Sequence, residues 1–203
     1  MRTHVLYAVV AGLALMAAPA ESQEKAPSAP DLATRVCSTC HGPRGISVSP
    51  MFPHLAGQQA VYLETQLKAF RDHSRADPHA QAFMWGMAAQ LTDPAITEIA
   101  AYYAGQRPAP GKPAGRDETT AGKKVFEEGV PAQEVPPCQS CHGEKAAGNG
   151  PFPRLAGQHR AYLERQLAAF ISTARANEVM HSNAKNLTAL QISQLAAFLS
   201  SQP

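Results

Sequence analysis

The chain has 203 residues, 44% of them hydrophobic and only 6% aromatic, with a formal net charge of +2. That length allows one ordinary domain or two small ones, and so slight a charge excludes the strongly basic face of a nucleic-acid binder. Two lobes of roughly 85 residues each draw thin stability from apolar packing alone, so lobes of that size call for something further at their centres.

Taken in chain order, the first segment is MRTHVLYAVVAGLALMAAPAESQ, with Arg2 ahead of an apolar run from Val5 to Ala18 and then Pro19-Ala20 before Glu21. A basic start, a short apolar stretch and small residues at its end predict a cleavable export signal over residues 1–20. The run falls short of the ~20 residues that a membrane-spanning helix needs. Residues 21–30, with Pro27 and Pro30, read as a flexible lead.

The next landmarks are CSTCHG at 37–42, FPHLAGQQAVYLETQLKAF at 52–70, Arg75 and MWGMAAQLT at 84–92. All of them return in the same order: CQSCHG at 138–143, FPRLAGQHRAYLERQLAAF at 152–170, Arg175 and MHSNAKNLT at 180–188. The two 19-residue stretches agree at 13 positions. The chain is therefore a duplication, with one lobe over 21–107 and a second over 119–203. Between them, 108–118 forms the middle of GQRPAPGKPAGRDETT, whose prolines and glycines mark a linker.

Within each lobe the apolar spacing predicts helices. Leu63, Leu67 and Phe70 share one face of a helix through 60–71, and Leu163, Leu167 and Phe170 repeat it. A last helix opens in each lobe at a threonine, Thr92 before Asp93-Pro94 and Thr188 with Gln191 in a capping-box pattern. Its apolar stripes are Ile96, Ile99 and Tyr103, then Ile192, Leu195 and Leu199. AGKKVFEEG at 121–129 predicts the opening helix of the second lobe, whose counterpart is cramped between Pro30 and Cys37. No run alternates as a strand would, so the fold class is all-α.

All four cysteines sit in the two C-x-x-C-H pentapeptides. On a helix, positions i, i+3 and i+4 share a face. Cys37 and Cys40, or Cys138 and Cys141, can then form thioethers along one side of a flat macrocycle, with His41 or His142 over its iron. This is the pattern of c-type haem attachment, here for two covalent haems. A zinc site wants two C-x-x-C pairs about 15–20 residues apart, and a thioredoxin-like pair wants a βαβ frame; neither context is present. A disulfide framework does not require histidine after the second cysteine, twice.

The sixth iron ligand is sought among the methionines. Met180 is the one methionine of the second lobe, and the repeat sets it opposite Met84, each eight residues before the threonine that opens the last helix. Met51 and Met87 lack methionine counterparts, and His73, His79 and His181 lack histidine counterparts. Met84 and Met180 are the candidates, and His/Met ligation raises the reduction potential. A ligating histidine gives its other N–H to a carbonyl, for which Pro53 and Pro153 of the FPxLAGQ loops are candidates, with Leu55 and Leu155 against the ring. Arg75 and Arg175 are candidates for haem propionates, for the other lobe, or for solvated surface positions. Trp85, aligned with His181, reads as packing.

These residues resemble the dihaem cytochrome c4 family: the duplicated CxxCHG, FPxLAGQ, the YLxxQL helix and the methionine-to-Leu-Thr step, over nearly all of 31–203. The resemblance implies two class I cytochrome c lobes whose haems face each other across a pseudo-twofold interface. It implies an exported, periplasmic electron carrier between respiratory donors and a terminal acceptor such as an oxidase, not itself an enzyme and without a small-molecule substrate, whether soluble or peripheral to the membrane. The rival reading is that the same body serves as the cytochrome subunit of a dehydrogenase complex, of the flavocytochrome sulfide dehydrogenase or alcohol dehydrogenase type. This chain departs from the pattern in the short first helix, in GVPAQEVPP (129–137) ahead of Cys138, and in lacking a glycine to match Gly86 after Met180.

Overall fold

The computed structural model describes residues 28–203, so the export signal expected over 1–20 lies outside the described residues. Helix α1 covers 29–41, opening at Ala29–Asp31, widening to π winding over Leu32–Cys37 and closing as Ser38–His41. Ser28 caps it by accepting the Asp31 N–H. Pro30 lies in the first turn, where its missing N–H costs no hydrogen bond. The helix that looked cramped therefore uses Pro30 as its start and runs on through both cysteines.

Helix α2 is Ala60–Arg71, α3 covers 80–88, and α4 is Asp93–Ala104. The second lobe has α5 (Arg116–Glu128), α6 (Gln139–His142), α7 (Arg160–Ile171), α8 (Glu178–Ala184) and α9 (Ala189–Ser201). Among the described residues there are no strands, only isolated bridges. Both threonine caps form, and Thr188 and Gln191 exchange both bonds of the capping box. Helix α5 begins before the expected 121, at Arg116, because Asp117 and Glu118 favour a helix's first turn. GVPAQEVPP folds into a short reversal closed by the Val130–Val135 bridge, which leads directly into Cys138.

The lobes differ in how their first and last helices meet. In the second, α5 crosses α9 so closely that a Cβ on Gly122 would lie 2.0 Å from the Gln194 carbonyl oxygen. Phe126 and Phe198 pack beside that crossing with ring centroids 5.6 Å apart. In the first, α1 meets α4 through Ala33 and Ala100, and fully buried Tyr103 donates its hydroxyl to the Ala33 carbonyl at 3.0 Å. Leu63 and Leu163 enter these cores from α2 and α7, and Phe70 and Phe170 are buried further along the same faces.

The connecting segment is held against both lobes. Lys112 N–H donates to the Ser200 carbonyl at 2.8 Å, and a Cβ on Gly57 would strike the Pro108 ring at 2.4 Å. The lobes meet across a pseudo-twofold axis marked by two glutamines. Gln58 accepts the Arg154 N–H and donates to the Arg154 carbonyl; Gln158 does the same with His54. His54 and His159 stack across the seam with centroids 4.0 Å apart.

Candidate functional site: two histidine turns on one cavity

Each Cys-x-x-Cys-His motif forms the last turn of a helix that ends at a glycine. Gly42 has φ 75° and Gly143 has φ 78°, left-handed values that side chains resist. At Gly42 a Cβ would also lie 2.0 Å from the Ile46 carbonyl oxygen. The chain thus turns away directly after His41 and His142 and returns along the FPxLAGQ loops. There the His41 Nδ1–H meets the Pro53 carbonyl at 2.9 Å, and the His142 Nδ1–H meets that of Pro153 at 3.0 Å. These bonds assign the Nδ1–H tautomer and leave each Nε2 lone pair available.

Both imidazoles are buried, and that burial lowers their pKa, with the proline carbonyl bonds pulling the other way. A neutral ring is the form that ligates a metal. None of the four cysteines forms a disulfide, and burial raises the pKa of Cys37 and pushes that of Cys138 up to about 11. Thiolate chemistry, whether zinc binding or disulfide exchange, depends on the opposite shift.

One continuous cavity of about 680 Å³ runs through both lobes. Cys37, His41, Pro53, Leu55 and Met84 line it from the first, and Cys138, Cys141, His142, Pro153, Leu155 and Met180 from the second. Cys40 belongs to the same turn and is exposed. Of the alternative ligands, Met51 and His79 touch the cavity; Met87, His73 and His181 do not. His73 instead stacks on Trp85 at 4.0 Å, and His181 Nδ1–H donates to the Phe170 carbonyl.

The walls are mostly apolar, with Leu63, Leu67, Phe70, Leu163, Leu167 and Phe170 among them. Two guanidinium nitrogens of the lining residues, Arg154 Nε and Arg165 Nε, are buried without a partner. An apolar slot with unpaired cationic N–H groups suits a flat macrocycle carrying carboxylates. The donor set and the cavity fit haem.

Arg75 and Arg175 are committed to the interface between the lobes. Arg75 donates to Asp77, Gln66 and Gln166, while Arg175 donates to Gln166, Gln66 and Tyr62. Of the roles open to them, the structure shows contact with the other lobe, and their burial rules out a solvated surface position. Gln58, Gln158, His54, His159 and Arg165 carry interlobe or cavity roles that no motif announced. Gln58 and Gln158 were visible as the last residue of LAGQ, but a repeat cannot say that a polar residue faces its own copy. Trp85 packs, and it also ties the Met84 turn to the interface by donating to the Arg75 carbonyl at 2.9 Å.

The model of the family "Cytochrome c" matches this chain twice, over residues 29–105 and 119–203. The chain is 41% identical over 203 residues to cytochrome c-552 of Acidithiobacillus ferridurans, covering 98% of this chain and 87% of that one. It is 34% identical over 207 residues to the thiosulfate dehydrogenase electron acceptor of Thiomonas intermedia, covering 98% and 91%. The solved cytochrome c4 of Acidithiobacillus ferrooxidans superposes with a TM-score of 0.78 at 42% identity, over 81% of this chain and 98% of that one. Fold and site together define a tandem c-type cytochrome with two covalently bound haems. The chain belongs to the dihaem cytochrome c4 family and is an electron carrier, not itself catalytic.

Proposed function

We propose that this protein accepts and releases single electrons outside the cytoplasm, passing them from respiratory donors to a terminal acceptor such as an oxidase. Cys37, Cys40, Cys138 and Cys141 would carry the thioethers, with His41 and Met84 ligating one iron and His142 and Met180 the other. The observation that carries this reading is that each lobe's histidine and methionine line the same cavity, the histidine held by a proline carbonyl. When bound, each haem supplies one reversible electron at its iron. The protein's part is to orient the imidazole through Pro53 or Pro153, present a thioether sulfur, and keep water from the ring with Leu55, Leu155 and the α2 and α7 faces. A soft thioether favours the ferrous state.

Export rests on the pattern of residues 1–20, and a periplasmic setting follows from it. No helix among the described residues is long and apolar enough to cross a membrane. A second reading, the cytochrome subunit of a dehydrogenase, draws support from the likeness to a protein named as a thiosulfate dehydrogenase electron acceptor. Co-purification with a catalytic subunit would favour it, and isolation as a free redox protein would oppose it.

The test of the ligand set is optical. Met84→His should lower the potential of the first lobe's iron and remove that lobe's share of the weak far-red methionine–ferric band. Met180→His should do the same in the second. A full band in either variant would reject that methionine as a ligand.

A further inference from the structure

The loop 46–52 borders the first lobe's part of the cavity, which Met51 and Phe52 line. One side chain fastens it. His54 Nδ1 accepts the Ser47 N–H at 3.0 Å, which assigns the proton of the neutral ring to Nε2. Ser47 is buried, and its Oγ lies 3.2 Å from the Cys40 carbonyl and 3.0 Å from that of Ser49, whose N–H it accepts. The backbone of His54 is pinned in turn by the Gln158 amide of the other lobe. The tip of the loop is loose by contrast, with Val48 92% exposed.

The second lobe fastens the matching loop without a titratable group. Asn149 and Phe152 exchange both backbone bonds at 3.0 Å, Gly148 N–H donates to the His142 carbonyl, and Arg154 stands in the place of His54. Backbone amides keep their protons at any ordinary pH; an imidazole nitrogen does not.

A second proton on the His54 ring can go only to Nδ1, where it would set one N–H against another and break the bond to Ser47. The surroundings give a charged ring no partner. His54 stacks on buried His159 at 4.0 Å, and Lys112 of the connecting segment adds positive charge beside both rings. Arg165 of α7 adds more beside His159, which only the Ser47 backbone favours in its charged form. No carboxylate among the described residues bears on either ring. The carboxylates of a bound haem are matched instead by Arg154 and Arg165, whose buried Nε–H groups have no partner. A charged His54 ring therefore gains by leaving for water, where its pKa returns from about 4 to an ordinary 6.5.

We infer that His54 is an acid-released latch: a proton on Nδ1 frees the loop 46–52 and loosens the rim of the first lobe's cavity, while the second lobe's rim stays shut. The approach of a redox partner to the first lobe then responds to acid, and its approach to the second does not. This goes beyond the carrier reading and does not depend on which side chains ligate the irons.

The experiment is amide hydrogen exchange in the ferrous holoprotein, followed by NMR and corrected for the intrinsic effect of pH. From pH 7 to 5 the protection of the Ser47 amide should fall about twentyfold, as the two His54 pKa values require. The Asn149 and Phe152 amides should hold their protection. In His54→Gln, which keeps a neutral hydrogen-bonding side chain, Ser47 should lose its pH dependence. Constant protection at Ser47, an equal fall at Asn149, or an undiminished pH dependence in His54→Gln would overturn the inference. The contrast between Ser47 and Asn149 in the unaltered protein decides it even if His54→Gln fails to fold. Loss of the far-red band of the ferric protein over the same range would also overturn it, because the change would then begin at an iron.

Discussion

The two lobes keep the same groups around the cavity and different means of closing their cores. His41 and His142 hold matching proline carbonyls, and both motifs end on left-handed glycines. Elsewhere the lobes have diverged. The second locks α5 to α9 through a glycine crossing and two phenylalanines, whereas the first closes α1 on α4 through two alanines and a buried tyrosine hydroxyl. Trp85 and His181 occupy one position of the repeat, and each ties its methionine helix to a backbone carbonyl with a ring N–H. Divergence is tolerated where several packings meet the same need, and resisted where one geometry must present sulfur and nitrogen to a cofactor.

The largest effect expected from breaking this comparison is loss of one cofactor without the other. In the double variant Cys138→Ala/Cys141→Ala, mass spectrometry should find one covalent haem instead of two, with the first lobe's far-red band intact. Loss of both haems would show that the lobes do not acquire them independently.

Acid should act on the seam between the lobes. Burial, with help from His159 and Lys112, lowers the His54 pKa to about 4 from an ordinary 6.5. The unfolded chain then binds more protons than the folded one between those values, so stability falls as pH drops through that window. The loss at its acid end is on the order of 3 kcal/mol for this group. Thermal melts from pH 7 to 4 should show the decline, and His54→Gln should flatten it; an unchanged slope in His54→Gln would assign the decline to other groups.

The smallest effect sharpens the contrast between the cores. Gly122→Ala places a methyl against the Gln194 carbonyl and the Phe198 side chain, an overpacking that costs about 1–3 kcal/mol. Calorimetry should show the second lobe melting earlier while the first is unmoved. An equal shift in both lobes would mean that they unfold as a single unit.

Much of this was legible in the residues. Helix 60–71 lies where its apolar spacing put it, and Thr92 and Thr188 cap as their neighbours foretold. These features are local, decided within a turn or two of chain. The opening helices were harder to read. Pro30 looked like an obstacle and serves as a first turn, and α5 begins at Arg116 because acidic residues there outweigh the loop-like composition just before them. Arg75 and Arg175 were visible as a matched pair, but their partners, Gln66, Gln166 and Tyr62, lie partly in the other lobe.

The sequence by itself determined the duplication, the all-α class, the pairing of cysteines with histidine, and through the repeat the two methionines set apart from the rest. Each follows from spacing along the chain, where helical geometry converts separation in residues into direction. Only the tertiary structure decided that the lobes face each other through LAGQ, that His54 stacks on His159, and that one carboxylate, Asp77, is shut into the seam while Asn177 stays in water. Those contacts join residues about a hundred positions apart. Burial, which gives a charge its force, depends on what the rest of the molecule places around it.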